Sequence, residues 1–223
     1  MPPAEAASRP STGRPFLRVA GRVRASQGGR LEPGGGPGGP ADGIVLWSVA
    51  TGRRGRRWRA TVRTAAGLIE DLLLEVDLDG RPGRLEVTTG HGMLTLHPEP
   101  DGRSAHGNVV TSEGVRGLAF PWSARHDFDV EGSWVPAVVI VARLEARIGV
   151  GEETGGQVLH VDRQLRVHPA ERFVRRLSEH GWCIESDIGP SVLTIETDPD
   201  GLPVFAPALE AVHWPLEEPE SRQ

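Results

Sequence analysis

Eight histidines are the side chains of this sequence best suited to acid–base or metal chemistry. They are His91, His97, His106, His126, His160, His168, His180 and His213. Two spacings suggest a shared metal ion, His91 with His97 and His160 with His168. Zinc requires nitrogen ligands about 2.0–2.1 Å from one ion, whereas residues eight positions apart on a strand are separated by about 25 Å. The second pair is therefore excluded as joint ligands, and we expect no metal and no cofactor.

Sequence motifs of catalysis are absent. There is no G-x-S-x-G elbow, no H-E-x-x-H, no P-loop and no G-x-G-x-x-G between a strand and a helix. His126, Asp127 and Asp129 are close in sequence, but such neighbours more often form an exposed hydrogen bond than a catalytic pair. Cys183, the single cysteine, lies in the strand-like run GWCIES without an adjacent base, so a small buried hydrophobe is the favoured interpretation.

The basic residues do not indicate a nucleic-acid partner. All 25 of them are arginine, which GC-rich coding explains, and the net charge is −5. A general phosphate-backbone binder is normally basic, so we expect no nucleic-acid binding. The densest cluster, GRRGRRWR at 52–59, surrounds Trp58 and could contact phosphates, although a solvated hairpin tip explains it more simply.

Four aromatic residues and two arginines are the candidates for ligand binding. The aromatic residues gather in LAFPWSARHDFDVEGSW, where they could form either the mouth of a cavity or a core plug under a long loop. A lone arginine on an apolar face either extends its head to water or pairs with an anion. The candidate set is Phe120, Trp122, Phe128, Trp134, Arg163 and Arg172.

The stretch VLHVDRQLRVHPAERFVRRL at 158–177 raises the question of what its apolar face covers. Leu159, Val161, Leu165 and Val167 fall on one side of an extended chain, and only Arg163 breaks that side. Proline then interrupts the ladder at 169, and a second extended run begins at 172. The pattern predicts a hairpin or corner whose apolar face lines either a filled core or a cavity.

Short strands joined by Asp-Gly turns recur along the chain and predict an antiparallel all-β fold. The predicted strands include 72–77, 84–89, 93–97, 191–197 and 202–205, and the apolar stretch Val135 to Ala142 also has strand length. The hairpins at 72–87 and 192–207 resemble each other, which is compatible with two related halves and also with chance similarity. We expect a strongly curved sheet or barrel-like β-roll.

The composition predicts one domain in a chain of 223 residues. Residues 1–42 are rich in Pro and Gly and are predicted to be a disordered tail, 43–216 a single β domain, and 217–223 a flexible end. The first residues lack the apolar core of a signal peptide, and no run approaches the length of about 20 apolar residues that a membrane span needs. With one cysteine, these features indicate a cytoplasmic protein.

The carboxy-terminal half resembles the bacterial family described as glycolipid-binding. The matching residues are Leu144, Gly149 to Glu152, Val161-Asp162, Leu165, Val167, Pro169, Arg172, Phe173 and Arg176-Leu177, followed by DPDGLPVF at 198–205. The match is clearest over 144–205, whereas GSWVPAVVIVARL at 132–144 keeps only Pro136, Arg143 and Leu144 of the family's middle region. The resemblance implies a curved antiparallel sheet and a lipidic ligand, and brings no catalytic residues with it.

The function expected from the sequence is non-catalytic binding of an amphipathic ligand, a glycolipid or another lipid. Each buried methylene contributes about 0.8 kcal/mol, so an acyl chain can offset much of the association entropy. A protein-interaction module with a filled β core is the alternative. A second alternative is an enzyme in which two or more of His97, His126 and His160 converge with acidic partners. The sequence leaves the oligomeric state open.

Overall fold

The computed structural model describes residues 17–18, 22–25, 44–64, 67–188, 192–199, 201–204 and 209–212. Within them the chain forms a ten-stranded and a six-stranded sheet. The strands of the first sheet are β1 (Leu17–Arg18), β2 (Arg22–Ala25), β3 (Ile44–Gly52), β4 (Gly55–Thr64), β5 (Gly67–Val76), β6 (Pro82–Thr89), β7 (Gly92–Pro98), β8 (Ser104–Thr111), β9 (Gly114–Pro121) and β16 (Leu209–Val212). The strands of the second are β10 (His126–Val130), β11 (Glu153–Val161), β12 (Val167–Arg176), β13 (Gly181–Ser186), β14 (Val192–Thr197) and β15 (Pro203–Val204).

The first sheet is an antiparallel meander curled into a half-barrel, in the order β16-β2-β3-β4-β5-β6-β7-β8-β9, with β1 beside β3. Each hairpin from β5 to β9 is closed by a connection of two to five residues. The turn after β5 is typical, because the Asp77 carboxylate accepts the backbone N–H groups of Asp79 and Arg81 at 2.9 and 2.8 Å. Gly80 follows with a φ of 76°, a conformation that costs glycine little. The all-β prediction is confirmed.

One face of the half-barrel is apolar and forms much of the core. Cross-strand partners such as Ala60 with Leu72 and Leu74 with Leu85 place the buried side chains in continuous rows. Trp47 and Trp58 belong to these rows, and Trp134, which precedes the residues at 135–144, packs against both. The ring of Trp47 lies 6.3 Å from that of Trp58 and 5.5 Å, edge-on, from that of Trp134. Such aromatic contacts add to the hydrophobic free energy of burial.

The run Val135 to Ala142 forms a helix, so the expectation of strand-length structure there is wrong. Helix α1 spans Val135–Leu144, and its residues from Val135 to Val141 are buried. Its β-branched residues favour strands, but β10 and β11 pair in parallel, and parallel neighbours need a crossover connection. Pro136 is tolerated because the first helical turn has no intrahelical acceptor for its missing N–H.

The hairpin of 158–177 turns earlier than the sequence pattern suggested. β11 ends at Val161, and a turn at 162–166, in which Leu165 has a φ of 62°, leads into β12. His160 and His168 are therefore cross-strand partners, and their separation along one strand was the wrong reason to exclude them as a pair. Pro169 pairs with Leu159 inside β12 and does not interrupt it. Leu159, Val161 and Leu165 belong to the filled hydrophobic core.

The ends of the chain relate to the predicted boundaries only in part. β1 and β2 lie inside the segment 1–42 that was predicted to be a tail, and both pair with β3. The rest of that segment and residues 217–223 lie outside the described residues. The two similar hairpins fall in different sheets, β5–β6 in the first and β14–β15 in the second. Their carboxylates at Asp77 and Asp198 play the same role in the turn.

Candidate functional site: an arginine-lined cavity

The second sheet carries charged side chains in its interior, beside helix α1. In β10, Asp127 and Asp129 alternate with Phe128 and Val130, and all four residues are buried. Strand alternation sends the apolar pair to one face of the sheet and the carboxylates to the other. Buried carboxylates need ionic or hydrogen-bonding partners, because transferring a charge out of water is costly.

Asp129 joins two cationic or protonatable partners from neighbouring strands. One of its oxygens accepts a hydrogen bond from Nδ1 of His160 on β11 at 2.6 Å, and the other accepts one from Nη2 of Arg172 on β12. The side chains of Asp129 and Arg172 are only 2% and 10% exposed. The parallel pairing of β10 with β11 places Asp129 beside His160, so the network depends on the crossover.

Asp127 forms a second buried ion pair, with Arg143 at the end of α1. Burial raises the pKa of the Asp127 carboxyl, and the positive charges of Arg143 and Arg172 oppose that rise. Arg143 lies in the last turn of the helix, where a cation also interacts favourably with the carbonyl end of the helix. This ion pair links the helix end to the face of the second sheet, whereas the pair of Asp129 with Arg172 links β10 to β12.

Four buried polar atoms of this network have no hydrogen-bond partner among the residues that the structure describes. They are Oδ1 of Asp127, Nε of Arg143, and Nε and Nη1 of Arg172. Leaving a buried donor or acceptor unpaired costs about 1–3 kcal/mol, and native structures contain few such atoms. These atoms surround the two ion pairs, so the site has hydrogen-bonding capacity that ordered water or a ligand would satisfy.

The same residues line a cavity of about 630 Å³ between the end of α1 and strands β11 and β12. Its walls combine charged and apolar side chains. The charged members are Arg125, Asp127, Arg143, Arg147, Glu171 and Arg172, and the apolar members include Ile140, Leu144, Val158 and Val174. The volume lies within the range of about 300–1,000 Å³ that is typical of small-molecule sites, and the wall is polar and apolar in similar measure.

Arg125 and Arg147 extend the positive charge of the cavity to the protein surface. Both residues are exposed, and among the described residues neither side chain has an ion-pair partner. The cavity wall therefore holds two buried arginines that are anchored by carboxylates and two exposed arginines that are free to meet a ligand.

Of the six residues predicted to bind a ligand, Arg172 lies in the wall of this cavity. Arg163 does not occupy the inward face on which the sequence pattern placed it. Its side chain is 62% exposed in the turn after β11, 3.5 Å from a carboxylate oxygen of Glu131. The reason is the turn at 162–166, which ends the strand alternation before Arg163.

The four aromatic candidates pack in or against the core and do not line this cavity. Phe128 is 1% exposed, and its ring lies 4.9 Å from that of Trp122. Trp134 contacts Trp47 and Trp58 at the start of the helix, and Phe120 packs against the same core. Their placement agrees with the alternative of a core plug.

The histidines considered for catalysis have separate partners. Nε2 of His97 lies 3.5 Å from Glu99, Nδ1 of His126 lies 2.9 Å from the hydroxyl of Ser123, and His160 contacts Asp129. Burial lowers the pKa of His126. No group of three or more His, Cys, Asp or Glu residues within the described ranges could hold a metal ion.

Sequence reasoning missed Asp127, Asp129, Arg143 and His160 as members of one site. The available signal was the alternation of carboxylates with Phe128 and Val130 in HDFDV, which indicates a strand with one charged face beside a long apolar run. It could not identify the partners, because His160 lies 31 positions from Asp129 along the chain.

Comparison with known proteins supports the fold. No family model matches the sequence, and no curated protein matches it. The chain is similar to the crystal structure of a DUF1089 family protein from Pseudomonas aeruginosa, with 19% sequence identity and a TM-score of 0.53. The similarity covers 82% of this chain and 100% of that one. Within the described residues, no helix has the length and hydropathy required to cross a membrane. At this level of identity, the similarity to that protein shows the fold alone.

Proposed function

We propose that this protein binds an amphipathic ligand, a glycolipid or another lipid, without catalysing a reaction on it. The observation that carries the proposal is the cavity of about 630 Å³ in which apolar side chains stand beside the guanidinium of Arg172. Such a wall offers one surface to an acyl chain and another to a polar head. The resemblance of residues 144–205 to the family described as glycolipid-binding supports the same class of ligand.

The apolar wall supplies the favourable free energy in this proposal. Ile140 and Leu144 approach from the helix, and Val158 and Val174 from the sheet. Burying ten methylenes would contribute about 8 kcal/mol, at about 0.8 kcal/mol each. Association costs about 4–15 kcal/mol in lost translational and rotational freedom, so the contacts of the tail and the head group together must contribute more than this cost.

The test is binding of two single-chain amphiphiles, dodecyl glucoside and dodecyl phosphate, below the concentrations at which they form micelles. Titration calorimetry on the purified full chain should give saturable binding of at least one of them. Absence of binding for both would refute the proposed function.

A matched pair of variants locates the binding. Leu144→Trp adds bulk inside the cavity at a half-buried position, whereas Leu177→Trp adds it at an exposed position 47% accessible at the end of β12. We expect the first to weaken amphiphile binding at least tenfold and the second to leave it unchanged, with both variants showing the wild-type circular dichroism spectrum. Equal affinities in the two variants would place the ligand outside this cavity.

A further inference from the structure

The arginine side chains that line the cavity point to the chemistry of the head group. We propose that the cavity selects an acidic head group, a phosphate or carboxylate held by Arg143 and Arg172 with Arg125 and Arg147 at the cavity mouth. This inference rests on the proposed function and deepens it, because it names the class of ligand that the site distinguishes.

The first argument is the donor inventory. Nε of Arg143 and both Nε and Nη1 of Arg172 are buried without partners, and each side chain is only 10% exposed. A guanidinium group can donate hydrogen bonds but cannot accept them. The three unpaired donors require accepting oxygens, which an ionised oxyanion supplies. The fourth unpaired atom, Oδ1 of Asp127, is an acceptor, and the remaining hydroxyl of a monoprotonated phosphate would donate to it.

The second argument is charge. The lining residues include four arginines and two carboxylates, Asp127 and Glu171. Asp129 does not line the cavity but forms an ion pair with Arg172. When it is included, the site has four guanidinium groups and three carboxylates. Arg125 and Arg147, which have no ion-pair partner within the described part of the chain, lie at the exposed side, where they would attract an anion from solvent.

The third argument is the rigidity of the buried donors. Asp129 holds Nη2 of Arg172 and is itself held by His160 at 2.6 Å, and Asp127 holds Arg143. Donors fixed by neighbouring groups lose little side-chain entropy when a ligand binds. Arginine's planar fork also matches two oxygens of one phosphate or carboxylate.

The experiment compares three probes by calorimetry: dodecyl phosphate, dodecyl glucoside and inorganic phosphate. The first two share a tail and differ in head-group charge, and the third has the oxyanion without a tail. We expect the wild-type protein to bind dodecyl phosphate at least tenfold more tightly than dodecyl glucoside, with a preference that falls as salt is added.

Two sets of variants test the assignment of residues. The double substitution Arg125→Gln with Arg147→Gln changes only exposed positions, so it should fold normally and reduce the phosphate preference severalfold. Arg172→Lys keeps the charge but loses the fork, and should reduce the preference further. The control is Arg116→Gln, at an exposed position on β9 outside the cavity, and it should leave the preference for dodecyl phosphate unchanged.

Each outcome separates the inference from the proposed function. Equal affinity for dodecyl phosphate and dodecyl glucoside would overturn the inference and leave the proposed function standing, as would an undiminished preference in the arginine variants. Inorganic phosphate binding as tightly as dodecyl phosphate would uphold the oxyanion site and refute amphiphile binding. Failure of all three probes to bind would overturn both.

Discussion

Glu70 is a carboxylate on the core-facing side of β5, and replacing it with glutamine should change how stability depends on pH. It occupies the same face of the strand as Leu72 and Leu74 and is only 9% exposed. Burial raises its pKa from 4.5 to about 7, and a hydrogen bond with Ser133 and the charge of Arg163 only partly oppose this rise. The folded protein therefore retains a proton on Glu70 that the unfolded chain releases at lower pH.

The magnitude follows from the difference between the two pKa values. Below pH 4.5 both states bind the proton, and Glu70 makes no pH-dependent contribution to the free energy of unfolding. Between pH 4.5 and about 7, Glu70 is ionised in the unfolded chain but still protonated in the folded protein. Ionisation therefore stabilises the unfolded state, and the wild-type protein loses stability as the pH rises through this range. At 1.36 kcal/mol for each unit of pKa difference, the loss is about 3 kcal/mol.

The assay is urea denaturation of the wild-type protein and Glu70→Gln at several pH values from 4.5 to 7.5. The variant should gain about 3 kcal/mol relative to the wild-type protein across this range, because glutamine does not ionise. Glu75→Gln, on the outward-facing side of the same strand, controls for the removal of a carboxylate from β5. A stability difference between Glu70→Gln and wild type that stays constant with pH would refute this account of the buried carboxyl.

Three further substitutions test the architecture, each by urea denaturation. Gly107→Ala should destabilise the protein by about 3 kcal/mol or more, because the new Cβ would overlap a carbonyl oxygen of β7. Gly117→Ala on β9 is the control, since its Cβ meets no such obstacle. Equal stability of the two variants would contradict this strand packing. Asp162→Ala should cost about 1–3 kcal/mol, because its carboxylate accepts hydrogen bonds from the backbone N–H and Nε of Arg166 at 2.9 and 2.7 Å, and Asp162→Asn should restore part of the loss. Burial tends to raise the pKa of Asp162, but the bonds from Arg166 outweigh it and lower that pKa, so this stabilisation should disappear as the pH falls through the folded-state value. Arg176→Met should cost about 1–3 kcal/mol, because Nη1 donates to two backbone carbonyls just after α1 at 2.8 and 2.9 Å, and an unchanged unfolding midpoint would show that these bonds do not hold the helix end.

Local features of the sequence were sufficient for several strands and hairpins of the first sheet, among them β5 to β7. The turn after β5 was predictable because Asp77 and Gly80 satisfy its backbone requirements within four positions. The rows of buried side chains in the half-barrel were predictable because alternation with a period of two is a property of one strand at a time. The all-β fold follows from these local choices alone.

The helix and the turn at Leu165 were decided by tertiary structure. Val135–Leu144 contains β-branched residues that favour a strand, but the parallel pairing of β10 with β11 requires a crossover, and burial among both sheets stabilises it as a helix. Leu165 adopts a φ of 62° because its side chain is fully buried in the core and Asp162 holds the surrounding backbone. Local preference opposes both conformations, and only packing overcomes it.

The candidate site was beyond sequence reasoning for the same reason. Arg172 was predicted from its position on an otherwise patterned segment, and it does line the cavity. Its partner Asp129 lies 43 positions away, and Arg143 reaches Asp127 only because the helix returns across the sheet. A single sequence shows which residues carry charge. The cost of burying a charge is offset by partners that strand pairing brings together, so only the folded chain identifies which charged residues form the site.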